Sequence, residues 1–247
     1  MGDHARVSIP HPREAAVVRL RLLGGFGLWR NGRSVPLTFG AQRLIAYLAI
    51  RGQWLLRTHV AGTLWPDAME QRANASLRST VWRLRSSDLA LVETTKEHVR
   101  LAPGVSVDVR TAVALARRLQ DDQQGGPDVD RWEDVLSVDL LPDWYEDWVV
   151  FEREQILQLR LHALERLCER LTASGRFGQA VAAGLVAVSA EPLRESAQRA
   201  LITAYLAEGN RWDALRQYRR YRQMLLAELG VEPTSQMERL MEGLRAS

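Results

Sequence analysis

The sequence has one cysteine, one lysine and no apolar run long enough to cross a bilayer. Cys168 alone cannot form an intramolecular disulfide, and the leucines around it favour a place in a helical core. Residues 1–16 contain Pro10 and Pro12 and lack the apolar centre of a signal peptide, so we expect a flexible arm there. Without a membrane span or secretion signal, the cytosol is the simplest compartment, and no membrane partner is predicted.

Signatures of the common catalytic and metal sites are also missing. A phosphate-binding loop needs Gly-Lys followed by Ser or Thr, whereas the one lysine, Lys96, is followed by Glu97. Neither HExxH nor GxSxG occurs, and the five histidines lack the spacing of metal ligands. The acidic run from Asp121 to Asp134 lacks the order of a calcium loop and is typical of a solvated loop. We therefore predict no enzyme, no metal and no cofactor.

Positive charge is concentrated in the first half of the chain. Residues 1–109 contain 15 basic and 8 acidic side chains, whereas residues 110–247 contain 18 and 22. The balance is +7 in the first half and −4 in the second. A basic half favours an anionic polymer as its partner, but a modest basic excess is also common in proteins that bind no nucleic acid.

The stretch Gln71–Ser86 predicts a helix with an apolar stripe and an arginine-rich surface. Four residues at i, i+4, i+8 and i+11 form the stripe: Ala73, Leu77, Val81 and Leu84. Four arginines lie off it: Arg72, Arg78, Arg83 and Arg85. No acid lies between Arg72 and Ser87, so these side chains have no opposite charge within the helix. The pattern fits either DNA recognition or a solvated arginine face on a core helix.

The neighbouring segments favour a winged helix-turn-helix. Gly40–Arg51 predicts one helix and Thr58–Trp65 a shorter one with Thr58 as N-cap, and Pro66-Asp67 then ends it before the arginine-rich helix. In this plan the third helix enters the major groove.

Strand patterns flank the three predicted helices. Val18–Leu22 alternates with period two, and Asn31-Gly32 is a type I′ hairpin signal. A second hairpin, Leu91–Thr95 with His98–Leu101, would be the wing and would carry Lys96 near its tip.

The second half predicts tetratricopeptide-like helical repeats. Gly175 and Gly209 are 34 residues apart, as are Ala180 and Ala214. The predicted helices are Leu161–Ser174, Gln179–Ser189, Ser196–Glu208 and Trp212–Leu229, with a vaguer unit over Trp144–Leu159. Phe177 and Trp212 would close the helix pairs, Gly230 would cap the long helix, and a last helix would run from Glu232-Pro233 to Leu244.

The predicted fold is therefore mainly α with small β. It comprises a winged helix-turn-helix domain over residues 17–109, which is α+β, and an all-α tetratricopeptide-like domain over residues 110–247.

Several motifs together resemble the Streptomyces antibiotic regulatory protein family over Leu20–Leu240. The first half contributes Leu64-Trp65 and the helix with Leu77-Arg78 and Arg83-Leu84-Arg85. The second half contributes Asp143-Trp144-Tyr145-Glu146-Asp147-Trp148 and Leu229-Gly230-Val231-Glu232-Pro233. The resemblance implies an OmpR-type winged helix-turn-helix followed by a bacterial transcriptional activator domain.

The resemblance implies a pathway-specific transcriptional activator, for example of an antibiotic gene cluster. It implies binding to direct repeats in double-stranded DNA near a promoter by two protomers side by side. It also implies recruitment of RNA polymerase holoenzyme with its sigma factor. The wing departs from many members, since Glu97-His98 stands where they have Gly-Tyr.

Ten residues are predicted DNA contacts, with roles assigned by their chemistry. Arginine can bind guanine O6 and N7 or a phosphate, and short hydroxyls can reach either. Arg72 is expected at phosphate, Arg78 and Arg83 at bases, and Lys96 at the backbone or minor groove. Trp82 would contact thymine methyls or sugars, or else pack on the second domain. The full set is Arg43, Arg57, Arg72, Arg78, Ser79, Thr80, Trp82, Arg83, Arg85 and Lys96, in which Arg43 and Arg57 would clamp the backbone.

Two alternatives stay open at this point. The helical repeats are of the kind that hold peptides or partner helices, so the chain could be a protein-interaction or ligand-sensing module with weak DNA binding. The second alternative is a repressor of the same architecture, since the position of the operator relative to the promoter decides between activation and repression.

Overall fold

The computed structural model describes residues 17–86, 89–121 and 132–245, and they divide into two compact units. The N-terminal unit contains residues 17–20 and 26–107, and the helical unit contains residues 21–25 and 108–245. The segment 21–25 thus belongs to the helical unit although it precedes the helices of the other. The predicted arm, residues 1–16, lies outside the described residues, as do residues 122–131 of the predicted acidic loop. The last acids of that loop, Glu133 and Asp134, lie in a short helix and not in a loop.

Seven short strands lie in the described part of the N-terminal unit and at its edge. They are β1 (Val18–Arg21), β2 (Gly27–Arg30), β3 (Arg33–Ser34), β4 (Leu55–Leu56), β5 (Val92–Thr94), β6 (His98–Leu101) and β7 (Val105–Val107). One sheet has the order β3-β2-β1-β7, with β7 parallel to β1. Asn31 and Gly32 have φ of 50° and 79° between β2 and β3, which confirms the predicted hairpin turn.

Three helices follow in the order that the sequence predicts: α1 (Phe39–Arg51), α2 (Arg57–Leu64) and α3 (Glu70–Arg85). Helix α1 ends at Gly52, whose φ of 68° suits glycine. The predicted N-cap of α2 was wrong, because the helix begins at Arg57 and Leu56 occupies the N-cap position. Thr58 therefore lies inside the first turn and is not its cap.

The wing is a three-stranded sheet in the order β4-β6-β5. Strands β5 and β6 are antiparallel, with Thr94 opposite Val99. The Thr95 hydroxyl accepts a hydrogen bond from the His98 N–H at 2.9 Å, which closes the tip around Lys96. The predicted second hairpin is thus confirmed.

The described part of the helical unit contains seven helices. They are α4 (Asp108–Gln120), α5 (Glu133–Leu136), α6 (Asp147–Ala173), α7 (Phe177–Ala190), α8 (Glu195–Glu208), α9 (Arg211–Leu229) and α10 (Ser235–Arg245). Helix α6 packs on α7 and α8 on α9, and Gly175 and Gly209 turn the chain with φ of 74° and 91°. The predicted fold class, a small α+β unit followed by helical repeats, is confirmed.

Three details of the predicted repeats were wrong. The Trp144–Leu159 segment is no separate unit, because α6 runs unbroken for 27 residues and its sequence contains no Gly or Pro to end it. Trp212 does not close its helix pair, since it is 67% exposed. The last helix begins at Ser235, not at Glu232-Pro233.

Other residues fill the core at the end of the helical unit. The buried set combines two tyrosines with two methionines: Tyr218, Tyr221, Met237 and Met241. Gly230 ends α9 with φ of 67°, as predicted, and Cys168 is buried in α6, where desolvation raises the pKa of its thiol to about 12.

Hydrogen bonds from buried groups attach the segment 21–25 to the helical unit. The Asp108 carboxylate accepts the N–H groups of Leu22 and Leu23 at 2.9–3.0 Å. Burial raises the pKa of Asp108, and these backbone hydrogen bonds oppose that rise. The Gly24 N–H donates to the Asp139 carbonyl at 2.8 Å, and Arg160 of α6 pairs with the Asp139 carboxylate at 2.6 Å.

Helices α7 and α8 approach closely at Gly184. A Cβ atom there would lie 3.0 Å from the Leu201 Cβ and 3.2 Å from its Cα. Because the nearest atoms include backbone, a larger side chain cannot be accommodated by rotation of Leu201 alone.

We expect Gly184→Val to lower the free energy of unfolding by about 1–3 kcal/mol, because it overpacks the α7–α8 contact. Urea unfolding followed by circular dichroism would measure this. Gly178→Ala is the control, since Gly178 lies in the same helix and a Cβ atom added there would meet nothing within 4 Å, so the variant should be neutral or stabilising. Equal stability of both variants would contradict the close approach.

Candidate nucleic-acid interface

The apolar stripe of α3 is docked on the core of the N-terminal unit. Ala73, Leu77, Val81 and Leu84 are all buried. Their packing fixes the rotation of the helix, because a helix turns by about 100° per residue and only one narrow sector can face the core. The predicted stripe is thereby confirmed, and most of the remaining side chains of the helix are exposed.

The arginines of α3 lie on two different flanks. Gln71, Asn74, Arg78, Trp82 and Arg85 share one side, which faces α2 and the wing. Arg72, Ser79 and Arg83 share the other. Asn74 is half-buried, and the other seven of these side chains are exposed. Arg78 and Arg83, which are both predicted base contacts, therefore lie on different flanks of α3.

The structure does not support Thr80 as a DNA contact, because its side chain is buried. It is only 2% exposed, and its hydroxyl donates to the Ser76 carbonyl at 2.9 Å. The position lies about 60° from the centre of the apolar stripe, so its side chain turns toward the core. Thr80 cannot reach an external ligand.

A groove of about 900 Å³ lies between the start of α2, the first half of α3 and the wing tip. Three basic residues line it although they are far apart in sequence: Arg57, Arg78 and Lys96. The Arg57 N–H donates to the Glu97 carbonyl at 2.8 Å, which ties the start of α2 to the wing tip. Folding thus gathers cations from three elements around one concave surface.

Polar side chains outside the predicted set also line this groove. Gln71 and Asn74 lie on the same flank of α3 as Arg78, at spacings of i, i+3 and i+7. That spacing is visible in the sequence, but an uncharged amide does not stand out among charged and hydroxyl side chains. Glu97 is an acid on the groove wall, and Thr95 lies beside Lys96 at the tip.

The wing is braced against the helices and across its own strands. The Arg85 guanidinium donates to the Thr94 hydroxyl at 3.3 Å, which joins the end of α3 to β5. Arg100 of β6 pairs with Glu93 of β5 at 2.6 Å and stacks 4.5 Å from the centre of the Trp54 ring. These contacts hold the wing tip in place.

Arg43 is one of the predicted residues that do not line this groove. It lies half-buried on α1, with its guanidinium carbon 5.9 Å from the centre of the Phe39 ring, and it does not line the groove. Its predicted role at the DNA backbone stays a prediction.

Membrane spans and metal clusters are absent from the described residues. Residues 17–86, 89–121 and 132–245 include no helix both long and apolar enough to span a membrane. Within the same ranges, no group of three or more His, Cys, Asp or Glu side chains could hold a metal ion.

Known proteins share both halves of this architecture. The family model of the bacterial transcriptional activator domain matches residues 107–245. Regulatory protein AfsR of Streptomyces coelicolor is 26% identical over 240 residues, which cover 93% of this chain and 24% of that protein. Regulatory protein AfsR of Streptomyces griseus is 24% identical over 257 residues, which cover 96% and 26%. The chain spans about a quarter of the length of these relatives.

A solved structure has a similar fold. Mycobacterium tuberculosis EmbR, in complex with a low-affinity phosphopeptide, matches with a TM-score of 0.72 at 24% identity. The match covers 94% of this chain and 66% of that one, so it spans both units described here.

We expect Leu77→Ala to lower the free energy of unfolding by about 2–5 kcal/mol, because it empties the centre of the buried stripe of α3. Trp82→Ala, five residues further along the same helix, should change it by only about 0.5 kcal/mol because the indole is 69% exposed. Denaturant unfolding of both variants would measure the difference. A large loss for Trp82→Ala would mean that its ring is packed rather than outward.

Proposed function

This chain belongs to the family of the bacterial transcriptional activator domain, among the Streptomyces antibiotic regulatory proteins, and we propose from that premise that it activates transcription by binding direct repeats beside a promoter. The family is one of transcriptional regulators and not a class of enzymes. The target is double-stranded DNA, and RNA polymerase holoenzyme with its sigma factor is the machinery recruited. An antibiotic gene cluster is the proposed setting.

The observation that supports DNA binding best is the groove between α2, α3 and the wing. Its three cations, Arg57, Arg78 and Lys96, come from three elements and concentrate positive charge on one concave surface, as expected for a surface that faces an anionic polymer. The exposed flank of α3 beside it presents amide and guanidinium groups, which are the side chains that distinguish base edges in the major groove. Phosphate and base contacts are thus available on one continuous surface.

The positions of the side chains suggest which of them contact bases and which contact phosphates. The N-terminal part of a recognition helix contacts base edges, so Gln71 and Asn74 suit adenine, and Arg78 near the middle of the helix suits guanine. Arg57 and Lys96 suit phosphates on either side of the groove. On the other flank, Arg72, Ser79 and Arg83 would reach the DNA backbone on the opposite side of the major groove. Arg43, Trp82 and Arg85 are further candidate DNA contacts.

The test is selection of binding sites from a random double-stranded pool with the full chain, followed by anisotropy at two salt concentrations. An activator of this kind should select a tandem motif and prefer it by about 10³-fold or more over random DNA. Its affinity should fall steeply with salt, because bound counterions are released. Weak binding without a motif would contradict the proposal and would favour the alternative of a helical-repeat interaction or ligand-sensing module.

We expect Arg78→Ala to weaken binding to the selected site by about 1–3 kcal/mol and to relax the preference at one base position. Anisotropy on the selected site and on its single-base variants would measure both effects. Thr80→Val is the control on the same helix, and it should leave affinity unchanged because Thr80 is buried. Equal affinity of Arg78→Ala and wild type would remove Arg78 from the interface.

We expect Lys96→Ala to weaken all DNA sequences alike and to lower the salt slope by about one, because a phosphate contact carries no base information. The measurement is affinity against salt concentration for a selected and a random duplex. Lys96→Arg preserves the charge and should retain the slope. A change in base preference would instead place Lys96 at a base edge.

A further inference from the structure

Direct repeats place two copies of a protein in the same orientation. A contact between them cannot be two-fold symmetric, so it must join two different surfaces of the chain. This inference rests on the proposed binding to direct repeats. It requires two exposed, complementary faces on each copy, and the helical unit has such a pair.

The first is an outward face of α9, here called the basic face. Its members are exposed and recur at i, i+4, i+7, i+8, i+11 and i+14: Trp212, Arg216, Arg219, Arg220, Gln223 and Leu226. At about 100° per residue these positions form one stripe. An indole that is 67% exposed stands at one end, and Leu226, 51% exposed, stands near the other.

The side chains of this face carry only positive charge, although Glu232 and Glu238 line the groove that borders it at Arg219, Gln223 and Leu226. None of its six positions is an acid. Arg216 pairs at 2.7 Å with Asp213, which lies off the stripe. Arg219 and Arg220 are exposed in the middle of the stripe. An exposed tryptophan beside arginines is the composition found at the centre of protein interfaces.

The second is an outward face at the start of α6, here called the acidic face. Its members follow i, i+3, i+4 and i+7: Asp147, Val150, Phe151 and Glu154. Phe151 is 58% exposed and Val150 is 48% exposed, so two apolar side chains lie between two carboxylates. Arg153 is adjacent, but its guanidinium donates to the carbonyls of Leu140 and Trp144 at 2.8 Å, so it is turned away from this face.

The two faces match in both charge and apolar content. Each alternates apolar anchors with charges of one sign, and the signs are opposite. They also lie on different elements of the array: α6 packs against α4, α7 and α8, while α9 packs against α8. A single chain therefore carries both faces, each on a different helix.

We propose that the basic face of α9 in one copy docks on the acidic face of α6 in the next copy along the DNA. Val150 and Phe151 of one copy would be buried against Trp212 and Leu226 of its neighbour. Arg219 and Arg220 of that neighbour would face Asp147 and Glu154. Such a head-to-tail contact does not close on itself. A third repeat would therefore recruit a third copy with the same gain in affinity.

The test compares full-chain binding to duplexes with one and with two copies of the selected repeat at its natural spacing. Wild type should bind the second copy about tenfold more tightly than an isolated copy. The double variant Arg219→Glu with Arg220→Glu should lose that gain, and so should Asp147→Arg with Glu154→Arg, because like charges then face each other. Both should retain wild-type affinity for the single copy.

Rescue by combined charge reversal tests whether these two faces contact each other. A variant with all four substitutions exchanges the signs of the two faces, so it should recover the cooperative gain. Arg166→Glu with Arg239→Glu is the matched control, since both arginines lie in the same unit but outside the two faces. It should retain the gain. Recovery in the fourfold variant also shows that the charge reversals leave the helical unit folded.

The outcomes separate this inference from the proposed function. Specific binding to one copy with no gain on two would overturn the head-to-tail contact alone. A gain that survives both reversals would overturn it as well. Loss of single-copy affinity in the α9 variant would assign the basic face to DNA and would overturn the contact as well. Absence of any site preference in wild type would instead overturn the proposed function.

Discussion

The docking of α3 on the core of the N-terminal unit determines what every other surface of that helix can do. Four small or apolar residues occupy one sector, and their burial fixes the rotation of the helix. Once that rotation is set, Arg78 must face the wing and Arg83 must face away from it. A change of rotation by one residue would bury an arginine and expose a leucine, which is why the outward chemistry of α3 is strongly specified.

The groove depends in turn on contacts that are distant in sequence. The hydrogen bond between the Arg57 N–H and the Glu97 carbonyl brings the wing tip to the start of α2. Strand β4 pairs with β6 next to it, with Leu55 opposite Val99. Lys96 therefore reaches the flank of α3 because the wing sheet is anchored beside that helix. The helical unit is tied together similarly, since Asp108 holds the segment 21–25 that precedes the N-terminal unit's helices.

Local patterns were predictable, and errors arose where a one-residue offset or a side-chain hydrogen bond decided the outcome. The Asn31-Gly32 turn and the α3 stripe are predictable because turn preference and helical periodicity are properties of the local sequence. Trp212 was expected to close its pair like Phe177, but it precedes Ala214 by two residues, whereas Phe177 precedes Ala180 by three. That offset rotates Trp212 by about 100° on its helix and leaves it in solvent.

Site residues were predicted less well than the fold. Thr80 was included for its hydroxyl, but the Ser76 carbonyl satisfies that hydroxyl within the helix. The convergence of Arg57 with Lys96, and the place of Gln71 beside them, depends on tertiary contacts that periodicity does not contain. Composition alone shows a basic first half and an acidic second half of the chain. The basic face of α9 nevertheless lies in the acidic half, so composition does not predict it.

The most direct measurement is arginine labelling with a glyoxal reagent, with and without the selected DNA, followed by mass spectrometry. Because 32 of the 33 basic residues are arginine, nearly every positive charge becomes a probe. Binding at the groove predicts strong protection of Arg57 and Arg78, with Arg166 and Arg239 labelled equally in both states. Protection confined to the helical unit, with Arg57 and Arg78 still fully reactive, would contradict the assignment of the α2–α3–wing groove as the DNA interface.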